Sequence, residues 1–178
     1  DAGTVATTGT HPALTLPQPF PGSYFPNNGV PAGFVVPGET VGFTASGGTV
    51  AAFAGEVTAV ASLELPTDDV TATQHQPMTI AWTPAPAGQG GQIVVRMNND
   101  HHGTNSYVEC VADDAAGQLT VPVSVLDPLI ADGASGIGTY IESSSMTRRN
   151  RTIVATSQGC AAVESTSLAY LFVTTIHD

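Results

Sequence analysis

Apolar and polar positions alternate with a period of two along most of the chain, in short runs closed by Gly, Pro, Asn or Asp. That pattern belongs to half-buried strands rather than helices. In "MTIAWT" (78–83), Met78, Ile80 and Trp82 fall on one face and Thr79, Ala81 and Thr83 on the other. The same alternation predicts strands over 39–45, 50–60 (interrupted at Gly55), 92–98, 107–112 and 118–123, with further ones near 137–146, 151–157 and 167–176. About nine strands punctuated by turn residues predict an all-β antiparallel sandwich. The helical candidate "PVSVLDPLI" (122–130) is expected to stop at Pro128.

The last predicted strand, "SLAYLFVTTIH", is apolar on both faces. Leu168, Tyr170, Phe172 and Ile176 share one face, and Leu171 and Val173 the other. Such a strand is either central in its sheet or an edge that something covers, and a partner subunit or the chain's own N-terminal arm would serve. Residues 11–38 are proline-rich and are expected to lie extended over the sandwich, pinned by Leu14, Leu16, Phe20, Tyr24 and Phe25. The predicted organisation is an arm over 1–34 and a sandwich over 35–178, with no internal repeat at a fixed period.

A hydrophobic fraction of 42% in 178 residues is enough to build a core, which excludes global disorder. Charge narrows the function classes. Fifteen acids stand against four bases, a net charge of -11. All four bases are arginines: Arg96, Arg148, Arg149 and Arg151. That balance repels phosphate backbones and anionic lipid, arguing against nucleic-acid and membrane-surface roles. Only 11% of residues are charged, so the surface is neutral and polar, which suits a secreted or cell-surface protein.

The order of several segments carries a resemblance. "FTASGGTVAAFAGEVTA" (43–59) is followed by "MTIAWTPA" (78–85), "IVVRM" (93–97), "VECVADDAAGQLTVP" (108–122) and "VSVLDPL" (123–129). Over roughly residues 35–176 this resembles the immunoglobulin-like (Ig-like) β-sandwich domains of secreted bacterial proteins and lipoproteins. The resemblance implies fold and export, and no catalytic residues. Trp82 precedes both cysteines, so the Cys-Trp-Cys core of antibody-type domains is not implied.

The chemistry-bearing residues are few. Cys110 and Cys160 fit no zinc or redox spacing; paired, they would close a loop of about 50 residues, worth roughly 4 kcal/mol. A disulfide between them is expected, with two buried free thiols as the alternative. "NNDHHGTNSYVEC" (98–110) gathers Asp100, His101 and His102. Were strand 78–83 paired with 92–98, His75 would lie opposite Asn99 and close to them, a set suited to Zn²⁺, Ni²⁺ or Cu²⁺. Adjacent strand residues point to opposite faces, so a polar loop is the simpler expectation there. No cofactor is expected beyond that divalent ion.

No G-x-S-x-G motif occurs, and Asp68-Asp69 and Asp113-Asp114 sit where turn chemistry uses carboxylates. Phe20, Tyr24 and Phe25 are the candidates for stacking on a glycan. "RRNR" (148–151) is either a solvated hairpin turn or, through Arg148, Arg149 and Arg151, an electrostatic contact with an acidic neighbouring copy. Asn150-Arg151-Thr152 is formally a glycosylation sequon. The sequence thus predicts a non-enzymatic surface, adhesion or structural module, with a self-assembling fibre or coat subunit built by strand addition of the arm as its specific version. Its partners would be copies of itself or other cell-surface components. A glycan- or metal-binding module is the alternative.

Overall fold

The computed structural model describes residues 1–26, 28–99, 106–133 and 140–176. In chain order the strands are β1 (Val5–Thr8), β2 (Thr15–Leu16), β3 (Thr40–Ala45), β4 (Phe53–Thr58), β5 (Asp69–Thr73), β6 (Met78–Ala81), β7 (Gln92–Asn99) and β8 (Ser106–Asp113). After a short 3-10 turn at Asp114–Ala116 come β9 (Gln118–Val121), helix α1 (Val123–Gly133), β10 (Tyr140–Thr156) and β11 (Gly159–Ile176). The described residues are mostly strand, the all-β character that the alternation predicts. It divides into two compact units, Asp1–Val60 with Asn150–Thr166, and Ala61–Arg149 with Ser167–Asp178. The sequence reading drew a single sandwich after an arm; the long strands β10 and β11 each give residues to both units, so no linker composition marks the division.

In the first unit a four-stranded sheet runs β2-β1-β3-β4. Of the stretch 1–34 expected as an arm, residues 5–8 and 15–16 are strands of this sheet. β1 sits at its centre, antiparallel to β3 from Val5↔Ala45 to Thr8↔Gly42 and to β2 at Val5↔Leu16. Val5 and Thr7 are buried on its inner face, and Val5 packs with Leu16 and Ala45. A second cluster joins Val41, Val57 and Ala59 to Val163 of β11.

In the second unit a five-stranded sheet runs β5-β11-β10-β7-β8, and a two-stranded sheet pairs β6 with β9. The β5–β11 pair is parallel, from Phe172↔Asp69 to Ile176↔Thr73, a departure from the antiparallel expectation. Between the sheets Met78, Ile80, Trp82 and Val121 meet Ile93, Val95, Met97, Met146, Leu171 and Val173 in one core. Leu126, Leu129 and Ile130 of α1 close that core at helical spacing.

Three expectations about elements are corrected. β6 pairs with β9 (Met78↔Val121 to Ala81↔Gln118), not with the 92–98 strand. Pro84 and Pro86 in the connection lack the N–H a hairpin ladder needs, so the chain crosses between sheets there. Helix α1 continues through Pro128. Its burial against the core at Leu126, Leu129 and Ile130 outweighs the lost hydrogen bond, and Pro128 itself lies on the exposed side. Finally, 140–156 is one strand with no turn at "RRNR". That run holds no Gly or Pro, and the break falls instead at Ser157-Gln158, before Gly159 at φ 135°.

Candidate functional site

The outer face of the five-stranded sheet is the most distinctive surface of the second unit. On β11, Leu171 and Val173 point into the core, which puts Leu168, Tyr170, Phe172 and Ile176 outside at 54%, 67%, 58% and 47% exposure. A strand buried on one face by its aliphatic residues thus displays its aromatic ones. β11 is central, between β5 and β10, as one of the two sequence alternatives had it, yet among the described residues none buries its outer row. Across the sheet the register places Val111 beside Val94, and Arg96 between Glu109 and Ser145. The Arg96 guanidinium carbon lies 4.5 Å from the centroid of the Tyr107 ring, a cation–π contact on this face.

Behind the core, Arg148 is 1% exposed and forms the polar centre of the unit. Its Nε and Nη2 donate to Asp114 Oδ1 at 3.1 and 3.0 Å. Nη1 donates to the Ala61 carbonyl at 3.3 Å and to the Ser62 carbonyl, and Nη2 also donates to the Thr83 carbonyl at 2.6 Å. Asp114 completes the set: its Oδ2 accepts the Ala85 N–H at 3.0 Å and its carbonyl accepts Trp82 Nε1–H at 2.8 Å. Beside this centre lies a cleft of about 340 Å³ lined by Glu64, Thr83, Pro84, Pro86 and Gln89 among others. The carbonyls of Ala61, Ser62 and Thr83 at the cleft are engaged by Arg148, which fastens the 61–62 and 83–85 segments.

The expectation of Arg148, Arg149 and Arg151 as one assembly contact is corrected for Arg148, because strand alternation turns it into the core. Arg149 is partly buried, and its Nε has no hydrogen-bond partner among the described residues. Arg151 is half exposed and pairs with Glu164 at 3.0 Å, within the first unit. Asn150 of the sequon sits in strand, its Nδ2 donating to the Thr58 carbonyl at 3.0 Å.

The expected disulfide is absent: Cys110 and Cys160 are both free. Cys110 lies on β8 in the second unit and Cys160 at the start of β11 in the first. Cys110 packs against the core, and burial first, then the charge of Glu109, pushes its thiol pKa up. Cys160 is exposed.

Of the metal candidates, Asp100, His101 and His102 lie outside the described residues, and among the described residues no group of three His, Cys, Asp or Glu is placed to hold an ion. The pairing that would have set His75 opposite Asn99 does not form. His75 instead occupies the left-handed region at φ 61° in the β5–β6 turn. Its backbone N–H donates to Asp127 Oδ1 and its Nδ1 lies against Oδ2, each at 2.8 Å. The Asp127 carboxyl is held below the ordinary aspartate range, chiefly by that backbone N–H.

Of the glycan candidates, Phe20 and Phe25 are exposed at 64% and 44%, with ring centroids 6.4 Å apart. Tyr24 is not available with them, because its hydroxyl donates to Asp1 Oδ1 at 2.9 Å and accepts the Ala2 N–H at 2.8 Å.

No protein-family model and no curated protein sequence matches the chain. Among solved structures it is similar to the FN1-FN3 domains of chicken CNTN1, at 11% identity and a TM-score of 0.29. It is also similar to a Ca²⁺-stabilized adhesin with which an Antarctic bacterium binds ice, at 15% identity and a TM-score of 0.28. Each likeness covers 97% of this chain, which spans 56% and 40% of those two. Scores this low do not bear on function.

Among the functional features, the sequence missed the Arg148–Asp114 centre. The signal was a lone arginine in phase with Met146 and Ser144 on a strand without turn residues.

Proposed function

We propose that the chain is a secreted, non-enzymatic surface module that works by assembling with copies of itself or with other cell-surface components. The exposed row Leu168, Tyr170 and Phe172, with Ile176 beyond Thr174, carries this conclusion, because large apolar side chains grouped on one exposed face mark a surface of association. The lysine-free, sparsely charged composition supports export. The buried Arg148–Asp114 pair supports a structural role, since its guanidinium N–H groups are committed to acceptors within the chain.

The specific version is a fibre or coat subunit assembled by exchange of the N-terminal strand. Its support is the central place of β1, whose four-residue ladder with β3 is a slot that another copy's residues 5–8 fit in the same register. A chain carrying Ala6→Cys and Thr44→Cys, with Cys110→Ala and Cys160→Ser, tests it, because Ala6 and Thr44 are direct partners in the ladder. After oxidation, exchange gives a covalent ladder of copies on a non-reducing gel, whereas a monomer band alone ends the strand-exchange version.

A glycan-binding module is the second conclusion, favoured by the exposed Phe20–Phe25 pair. It requires saturable binding of an oligosaccharide in calorimetry that disappears in Phe20→Ala and Phe25→Ala.

A further inference from the structure

We infer that the outer face of the five-stranded sheet is a self-association surface on which a second copy stacks β11 against β11. This deepens the surface-module conclusion above by naming the partner at that face.

Area argues first. Taking about 150–250 Å² for each full side chain, the four exposed residues of β11 present on the order of 500 Å² of mostly apolar surface. That is near the upper end of patches left open on monomers, about 300–600 Å². A stable pair needs about 800 Å² per partner. The neutral residues beside the row, Thr174 on β11, Thr71 and Thr73 on β5, and Ser145 and Thr147 on β10, extend the face toward that figure.

Arrangement argues second. Interfaces between copies place an apolar centre inside a polar rim. Here the row lies on β11, Arg149 stands in phase with Ser145 and Thr147 on the neighbouring β10, and Arg96, Glu109 and Asp113 lie on β7 and β8, at the far side of the sheet. Asp69 stands in register with Phe172 on the edge strand β5, on the opposite rim. A two-fold axis through β11 therefore sets identical apolar rows together and leaves the carboxylates outside. A cationic partner would find acids at the rims and aromatic residues at the centre, the reverse of what its charges require.

Charge fixes the sign of the test. Each copy carries -11, so two copies repel, and screening relieves that repulsion while apolar contact persists. Sedimentation equilibrium of the full chain is expected to show a concentration-dependent dimer that tightens as NaCl rises from about 50 to about 500 mM. Tyr170→Thr and Phe172→Thr keep strand propensity. Each is expected to weaken the dimer at least about tenfold with an unchanged melting curve, since each removes an aromatic ring from the buried contact. Val50→Thr, exposed and outside this sheet, is the control and leaves the dimer intact. A monomer at every concentration, a dimer indifferent to both threonine variants, or a dimer loosened by salt overturns the inference. If the cysteine pair at 6 and 44 still yields its ladder in those cases, the assembly conclusion stands and only this face is wrong.

Discussion

Arg148 and Asp114 form a buried pair in which two guanidinium nitrogens, Nε and Nη2, converge on one carboxylate oxygen at 3.1 and 3.0 Å. The second carboxylate oxygen faces away, to the Ala85 N–H at 3.0 Å, so the aspartate joins a strand to the connection that crosses between the sheets. A Cβ at Gly90 would stand 2.6 Å from that oxygen, which is why a glycine follows the proline-rich run. Because the pair is 1% and 5% exposed by side chain, its charges are not screened by solvent.

Arg148→Met is therefore expected to cost about 3–5 kcal/mol, the range for stranding one member of a buried pair. Urea unfolding checks it. Arg148→Lys is expected to lose most of that amount too, because one ammonium cannot reach Asp114 and three carbonyls together. A loss under about 1 kcal/mol would show that the guanidinium contacts contribute little.

The two thiols are expected to differ in reactivity. The raised pKa of Cys110 leaves less thiolate near neutral pH, while Cys160 is exposed. A disulfide-exchange reagent such as DTNB should titrate Cys160 quickly and Cys110 at least about tenfold more slowly. A reductant should leave the melting temperature unchanged; a drop on reduction would restore the disulfide expected from the sequence.

Asp127 gives a pH dependence of definite sign. Its folded pKa lies below the unfolded one, so its contact with His75 stabilises the fold at pH values above the ordinary aspartate range near 3.9. That contribution is lost as pH falls through the lowered folded value. Asp127→Asn should thus be less stable than the parent at neutral pH, with the two curves converging as pH falls through the lowered folded value. Parallel urea midpoints across the acid range would contradict the contact.

Gly55 of β4 is expected to tolerate no side chain. An added Cβ would meet Val163 Cγ2 at 2.6 Å and Val154 Cγ2 at 2.7 Å. Gly55→Ala should cost about 1–3 kcal/mol through overpacking, and Val163→Ala in the same chain should recover part of it. Thermal denaturation of the single and double variants measures both effects.

Local alternation made the strands legible. Met78, Ile80 and Trp82 are in the core where their phase put them, and β3, β6, β7, β8 and β9 lie within about three residues of their predicted bounds. β5 ("DVTAT") and the first half of β11 ("GCAAVEST") escaped because their residues are small or polar, so they carry no apolar alternation to read. The exposed row on β11 was visible as a set, but not as the outer set.

What the sequence determined by itself was the strand class, the phase of each strand and the composition of the surface, because these follow from side-chain chemistry within a few residues. Tertiary structure decided which strands are neighbours: β6 with β9, β1 between β2 and β3, and β11 beside β5 in parallel. Pairing depends on contacts between residues far apart in the chain, and no local pattern encodes them. From pairing followed the rest: Arg148 turned inward onto Asp114, and the aromatic face of β11 left to the solvent because its aliphatic face had already filled the core.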